Sequence, residues 1–176
     1  MIIQLTGLSG AGKTTIAALV RPLLERHGLQ VTIIDGDEYR KTLCRDLGFS
    51  KEDRQENIRR LGKLAYSFSQ QQHVAIIAAI NPYESIRQEL KEKYGSLTVW
   101  VNCDIDELVR RDTKGLYKRS LLPDDDPAKI FNLTGINDTY EPPGTADLII
   151  DTHSEAPEQS AGKLCELIIS NAKTLS

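Results

Sequence analysis

Three observations predict an α/β fold, a three-layer sandwich in which a mainly parallel five-stranded sheet is covered by helices on both faces. Short apolar runs alternate with helical periodicity along the chain, the pattern of a parallel sheet with crossover helices. A glycine-rich stretch, Gly7-Leu8-Ser9-Gly10-Ala11-Gly12-Lys13-Thr14, stands between the first apolar run and the first helical one. An acid, Asp35, closes the second apolar run, where open α/β sheets bind their ligands.

The elements follow in order. Residues 2–6 form the first strand. A helix over 15–27 carries Ile16, Leu19, Val20, Leu23 and Leu24 at helical spacing and stops at Gly28, with Pro22 expected to bend it. Residues 31–34 read as a buried parallel strand presenting Asp35-Gly36-Asp37 at its carboxyl end. A brief helix over 38–43 and a loop around Gly48 lead to Ser50-x-x-Asp53, a capping pattern opening a long helix to about residue 72. On that helix Ile58, Leu61, Ala65 and Phe68 share the inward face; Arg54 falls on the same stripe, and Asn57 at its edge. A guanidinium on an inward face requires an anionic partner. Arg59 points to the opposite, solvated face.

The most apolar run, 74–80, is the candidate central strand and ends in Asn81-Pro82. A helix over 83–94 stops at Gly95, a fourth strand spans 97–101, and Asp104-x-x-Glu107 caps a helix through Arg111. Periodicity fails from 112 to 144, a prolyl and acidic segment that reads as a lid beside a phosphate site. A fifth strand at 148–150 and a helix over 157–172 close a single domain spanning 1–176.

Composition narrows the function. A formal charge of −3 and a pI near 5.7 argue against a nucleic-acid partner. Cys44, Cys103 and Cys165 are scattered, with no metal-ligand or disulfide spacing. No run is long and apolar enough to span a membrane, and the expected location is the cytoplasm.

The glycine-rich stretch fits G-x-x-x-x-G-K-[ST], the phosphate-binding loop of P-loop NTPases. Its glycines let backbone N–H groups wrap a polyphosphate at a helix N-terminus. Lys13 then reaches the β and γ phosphates and the Thr14 hydroxyl holds Mg²⁺. Regulatory GTPases would add N-K-x-D, which is absent, and motor ATPases place an acid where this chain has Asn81. With Asp35 the acid at a strand end, the pattern suits a small-molecule kinase using Mg-ATP, its acceptor anionic given Arg40 and Arg54.

The ordered motifs extend this. The loop, Asp35-Gly36-Asp37 with Arg40, Asp46-Leu47-Gly48-Phe49-Ser50, Glu56-Asn57-Ile58-Arg59-Arg60, Asn81-Pro82-Tyr83, Arg111-Asp112-Thr113-Lys114-Gly115-Leu116-Tyr117, Phe131-Asn132-Leu133-Thr134-Gly135-Ile136 and Tyr140-Glu141-Pro142-Pro143 together resemble the adenylylsulfate kinase family over about the first 150 residues. That family transfers the γ-phosphate of ATP to the ribose 3′-hydroxyl of adenosine 5′-phosphosulfate, the step that completes sulfate activation, and its members often form homodimers. The resemblance implies catalysis by Lys13 and Asp35, with Thr14 and Asp35 at the metal. It implies ATP contacts from Gly7, Ser9, Gly10, Ala11, Gly12, Lys13, Thr14, Thr15 and Arg111. Arg40, Arg54 and Asn57 would hold the phosphosulfate, Phe49 and Phe131 would sandwich the acceptor's adenine, and Lys114 and Leu116 would close over it. Asp37, Ile80 and Asn81 complete the implied acceptor contacts.

The chain departs from the family's pattern where Asn81 replaces the usual serine, in the acidic lid stretch 121–126, and in Asn132-Leu133 before Thr134-Gly135. Two other readings stand beside this one. The same framework could phosphorylate another nucleoside phosphoanhydride, such as cytidine diphosphoramidate, or the chain could be a regulatory module that binds nucleotide without transfer. Retention of Lys13, Asp35 and Arg54 speaks against the second.

Overall fold

The computed structural model describes residues 1–174. Its strands are β1 (Ile2–Thr6), β2 (Val31–Asp35), β3 (Val74–Ala78), β4 (Leu97–Asn102) and β5 (Leu148–Asp151). They form one sheet in the order β2-β3-β1-β4-β5, with every pairing parallel. Ile3 of β1 sits level with Ile76 of β3 on one side and Leu97 of β4 on the other. The central strand is therefore β1, and the more apolar β3 is its neighbour.

The pleat sends alternate side chains into two separate cores. Ile3, Leu5, Val74, Ile76 and Ala78 pack with helix α1 (Lys13–Arg26) and helix α7 (Pro157–Thr174), through Ala17, Val20, Leu24, Leu164 and Ile168. Ile2, Ala75 and Ile77 pack on the other face, against Ile58, Leu61 and Ala65 of α3 (Lys51–Ser69) and Ile86 and Leu90 of α4 (Glu84–Tyr94). β1 and β3 are buried on both faces throughout, which suits a nearly continuous apolar run; the two polar side chains of β1, Gln4 and Thr6, are buried with hydrogen-bond partners.

Three expectations change. β2 is an edge strand with only Ile34 buried, because no strand covers its outer side. α1 runs through Pro22 to Arg26, and the short helix after β2 is α2, Gly36–Arg40. The segment 112–144 is not wholly irregular: after α5 (Ile105–Arg111) it contains a five-residue helix, α6 (Leu116–Ser120). Asp112 starts that helix by accepting hydrogen bonds from the backbone N–H groups of Tyr117 and Lys118.

Helix caps follow local chemistry. The Ser50 hydroxyl accepts from the Asp53 N–H at 3.1 Å and opens α3. Asp104 caps α5 by accepting from Asp106, while Glu107 is engaged by Arg110 and Arg111 instead of closing a reciprocal cap. Arg59 pairs across to Glu89 of α4 at 2.9 Å. Among the described residues, no helix is long and apolar enough to cross a membrane. The carboxyl ends of β1, β2 and β3 open on one edge of the sheet, and there the chemistry collects.

Candidate active site

The loop between β1 and α1 is shaped by close approach. A Cβ on Gly7 would lie 2.2 Å from the Val101 carbonyl oxygen, so only glycine lets β1 turn there. The Gly7 N–H is spent on the Ile80 carbonyl at 3.2 Å and the Ala11 N–H on the Leu8 carbonyl. Both residues thus shape the loop and lie outside the cleft lining. Ser9, Gly10, Gly12, Lys13, Thr14 and Thr15 do line it, together with Asp35 and Asp37. Gly12 caps α1 in the left-handed region at φ 100°, and no acid occupies the helix's first turn. The helix end therefore offers positive potential to an anion, with Asp35 and Asp37 the acids that face it across the cleft.

The Lys13 ammonium donates to the Gly7 and Leu8 carbonyls at 2.8 and 2.7 Å. Burial lowers its pKa to about 8; Asp37 and Asp35 offset part of that shift and Lys114 adds to it. Thr14 Oγ1 donates to Asp35 Oδ2 at 2.7 Å, while Asp35 Oδ1 caps α2 by accepting from the Asp37 and Glu38 N–H groups. One carboxylate is thereby fixed by both β2–α2 geometry and the phosphate loop. Thr14 and Asp35 present hard oxygen donors side by side, too few for an all-protein cage but suited to a cation that keeps waters and phosphate oxygens. Among the described residues there is no larger metal-ligating cluster.

A second cleft continues from the first through Asp37 and Ile80 and is lined by Gly36, Arg40, Arg54, Asn57, Asn81 and Pro82. Asn57 and Asn81 are buried, and the Oδ1 of each has no hydrogen-bond partner. Asn81 holds φ at 46°; its Nδ2 donates to Gln4 Oε1 and its carbonyl accepts from Arg87. Burial and the Arg54 guanidinium both lower the Arg40 pKa from the usual arginine value. Arg54 is buried, as its stripe position requires, and its anionic partner is Asp138 at 2.7 Å.

A wider apolar mouth adjoins both clefts. Phe49, Leu116, Ile130 and Leu133 line it with Lys114, Arg40 and Arg54. Phe49 lies close to both arginines, 4.7 Å from the Arg40 guanidinium carbon and 5.4 Å from that of Arg54. Lys114 bridges the mouth by an ion pair with Asp37. Phe131 is not brought there: its ring is 60% exposed and packs near Lys129. Ile130 and Leu133 line the mouth instead. Arg111 also stands off the cleft lining, pairing with Glu107 and donating to the Thr152 carbonyl, while Thr152 in turn donates to the Ala11 carbonyl of the loop.

Sequence reasoning missed Thr113, Tyr117 and Thr134. Thr113 lines the phosphate cleft, Thr134 lines the mouth, and the buried Tyr117 hydroxyl donates to the Ser9 carbonyl. All three lie inside the ordered motifs quoted above, but none was given a role there.

Comparison with known proteins agrees in one direction. The family model for adenylylsulphate kinase matches residues 1–151. An adenylyl-sulfate kinase from Halothermothrix orenii is 42% identical over 94% of this chain and 88% of that protein. A Sorangium cellulosum protein named "Probable bifunctional SAT/APS kinase 2" is 42% identical over 93% of this chain, which spans 27% of its length. Among solved structures, a Mycobacterium tuberculosis APS kinase in complex with AMPPNP and APS superposes with a TM-score of 0.87 at 31% identity, covering 95% of this chain and 96% of that one.

Proposed function

Because the chain belongs to the adenylylsulphate kinase family, we propose that it transfers the γ-phosphate of ATP to the ribose 3′-hydroxyl of adenosine 5′-phosphosulfate, giving 3′-phosphoadenosine 5′-phosphosulfate. The observation that carries this reading is the continuity of the two clefts. Asp37 and Ile80 are shared walls of the phosphate-loop cleft and of the arginine-lined one. A phosphate donor and an anionic acceptor can therefore meet in line, which is most of what phosphoryl transfer asks of a protein.

The roles follow from position. The loop N–H groups and Lys13 hold the β and γ phosphates; to do so the ammonium leaves the Gly7 and Leu8 carbonyls for the stronger, charge-assisted partner. Thr14 and Asp35 would hold Mg²⁺, which when bound neutralises phosphate charge. Arg40, Arg54 and Asn57 receive the acceptor's phosphosulfate, and Phe49 with Leu116 receives its base. Asp35, on the phosphate-cleft side of the shared wall, orients the 3′-hydroxyl and takes its proton as the new O–P bond forms and the bond from the γ-phosphorus to the ADP oxygen breaks.

The test is phosphotransfer from Mg-ATP to a panel of adenosine 5′-phosphosulfate, cytidine diphosphoramidate and plain nucleoside monophosphates. Preference for adenosine 5′-phosphosulfate is expected. Preference for another nucleotide would keep the kinase and move the acceptor, and binding of ATP with no product from any acceptor would leave only a nucleotide-binding module.

A further inference from the structure

The segment after the mouth returns a carboxylate to Arg54. The turn over residues 133–138 is closed by hydrogen bonds from the Gly135 N–H to the Asp138 carbonyl at 2.8 Å and from the Leu133 N–H to Asn137 Oδ1 at 2.8 Å. It is seated on the phosphate loop: a Cβ on Gly135, whose φ is +89°, would lie 2.6 Å from Leu8 Cδ2. Asp138 Oδ1 is held by the Thr139 N–H at 2.8 Å, and Asp138 Oδ2 meets Arg54 Nη2 at 2.7 Å.

Counting donors on Arg54 shows what this does. A guanidinium has five N–H donors in a fixed plane. Nε donates to the Phe49 carbonyl at 3.1 Å, and Nη2 donates to the Asn132 carbonyl at 2.7 Å as well as meeting Asp138. Those acceptors occupy one edge of the fork. Among the described residues Nη1 has no such partner, and Arg54 lines both the second cleft and the mouth.

We propose that Asp138 is a positioning residue for the acceptor site, fixing the plane of Arg54 so that Nη1 is left for an anionic group of the acceptor. It acts through Arg54 and need not touch the acceptor. The inference rests on the acceptor-site reading above. It makes the turn over 133–138 part of that site, since the turn that sits on the phosphate loop also sets the arginine.

The experiment measures KM for each substrate and kcat for wild type, Asp138→Ala, Asp138→Asn, Arg54→Ala and the Arg54→Ala/Asp138→Ala double variant, with whichever panel nucleotide wild type phosphorylates. Asp138→Ala is expected to raise the acceptor KM by about tenfold or more, the size of losing a hydrogen bond to a charged group, with the ATP KM little changed. Asp138→Asn carries no charge and keeps one oxygen, which can serve Arg54 or the Thr139 N–H but not both, so its acceptor KM should lie between those of wild type and Asp138→Ala. In the Arg54→Ala background the Asp138 substitution should add almost nothing to the acceptor KM, because its target is gone.

An acceptor KM unchanged or lowered in Asp138→Ala would overturn the proposal. So would a full additional loss in the double variant, which would mark a role in the loop alone. The proposed function fails separately, if wild type does not phosphorylate adenosine 5′-phosphosulfate. Should Asp138→Ala not fold, the Asp138→Asn comparison in the two Arg54 backgrounds decides: a raised acceptor KM in the first, absent in the second, is the expected result.

Discussion

The hydroxyl of Tyr117 donates to the carbonyl of Ser9 at 2.7 Å, tying the first turn of α6 to the middle of the phosphate loop. Tyr117 is 2% exposed, and burial, with Asp112 adding to it, pushes its pKa well above the ordinary tyrosine value. It is therefore a donor at any working pH. The segment after α5 and the phosphate loop thus form one connected unit.

Tyr117→Phe keeps the ring and removes that single donor. The Ser9 carbonyl would lose its partner inside a packed region, at a cost of about 1–3 kcal/mol. The expected outcome is a lower urea midpoint together with an ATP KM raised several-fold, and an acceptor KM that changes less. Equal weakening of both substrates would show that the bond merely supports the fold.

Asp35 is committed three ways, to Thr14 and to two N–H groups of α2. Asp35→Asn can still cap α2, since its Oδ1 accepts as the carboxylate does, but it carries no charge and is a poor base. Turnover should fall by about 10²–10⁴-fold while ATP binding measured without acceptor stays nearly intact. Asp35→Ala should match it in turnover and additionally lose about 1 kcal/mol through the missing cap. If Asp35→Asn turns over like wild type, the assigned role is lost.

How much of this was legible depended on the range of the interaction. The strands, the cap at Ser50 and the inward Arg54 follow from period and local chemistry, so the sequence sufficed for them. The edge position of β2 did not show, because an apolar run of β-branched residues looks alike whether one neighbour strand or two cover it. Helix α6 was hidden because its cap, Asp112, reaches N–H groups five and six residues ahead, beyond the usual capping reach. In the site, the loop, Asp35 and the two arginines carried motif signals. Phe131 stands outside the mouth, which Ile130 and Leu133 line instead, and Asp138 was invisible because Arg54 lies eighty-odd residues earlier in the sequence. Gly7 and Ala11 belonged to the right loop with a different job: their N–H groups serve the loop itself.

Lys13 links nucleotide binding to pH. In the free enzyme its ammonium loses its proton near pH 8, and a bound triphosphate favours the charged form. The Kd for ATP should be flat below about pH 8 and rise above it, approaching about tenfold per pH unit, with proton uptake on binding at pH 9. Calorimetry in two buffers of different ionisation enthalpy reads that uptake directly. The stability linkage has a definite sign. The folded pKa lies below the unfolded value of 10.5, so between about 8 and 10.5 the unfolded chain binds more proton and this group's contribution to stability rises with pH. A Kd constant from pH 7 to 9.5 would contradict the assignment of Lys13 as the phosphate-binding cation.

Arg87 anchors the acceptor wall from behind. It is 1% exposed and donates to the carbonyls of Asn81 and Glu141 at 2.7 and 2.6 Å and to the Glu84 carboxylate. The Asn81 turn, at φ 46°, and the end of the segment that carries Asp138 and Tyr140 are therefore tied to each other through one guanidinium, beside the Thr6 hydroxyl, which also reaches the Asn81 carbonyl. Removing the guanidinium takes a donor from the buried Glu141 carbonyl and leaves the Asn81 carbonyl with the Thr6 hydroxyl at 3.0 Å, so Arg87→Ala should cost about 1–3 kcal/mol, while Arg87→Met, which refills the volume without a charge, should cost less. Urea denaturation gives both numbers. Because the Asn81 turn lines the acceptor cleft, the folded fraction of Arg87→Met should bind ATP normally and bind the acceptor more weakly. A Met variant that lost ATP and acceptor affinity alike would place Arg87 in support of the whole sheet edge rather than of that wall.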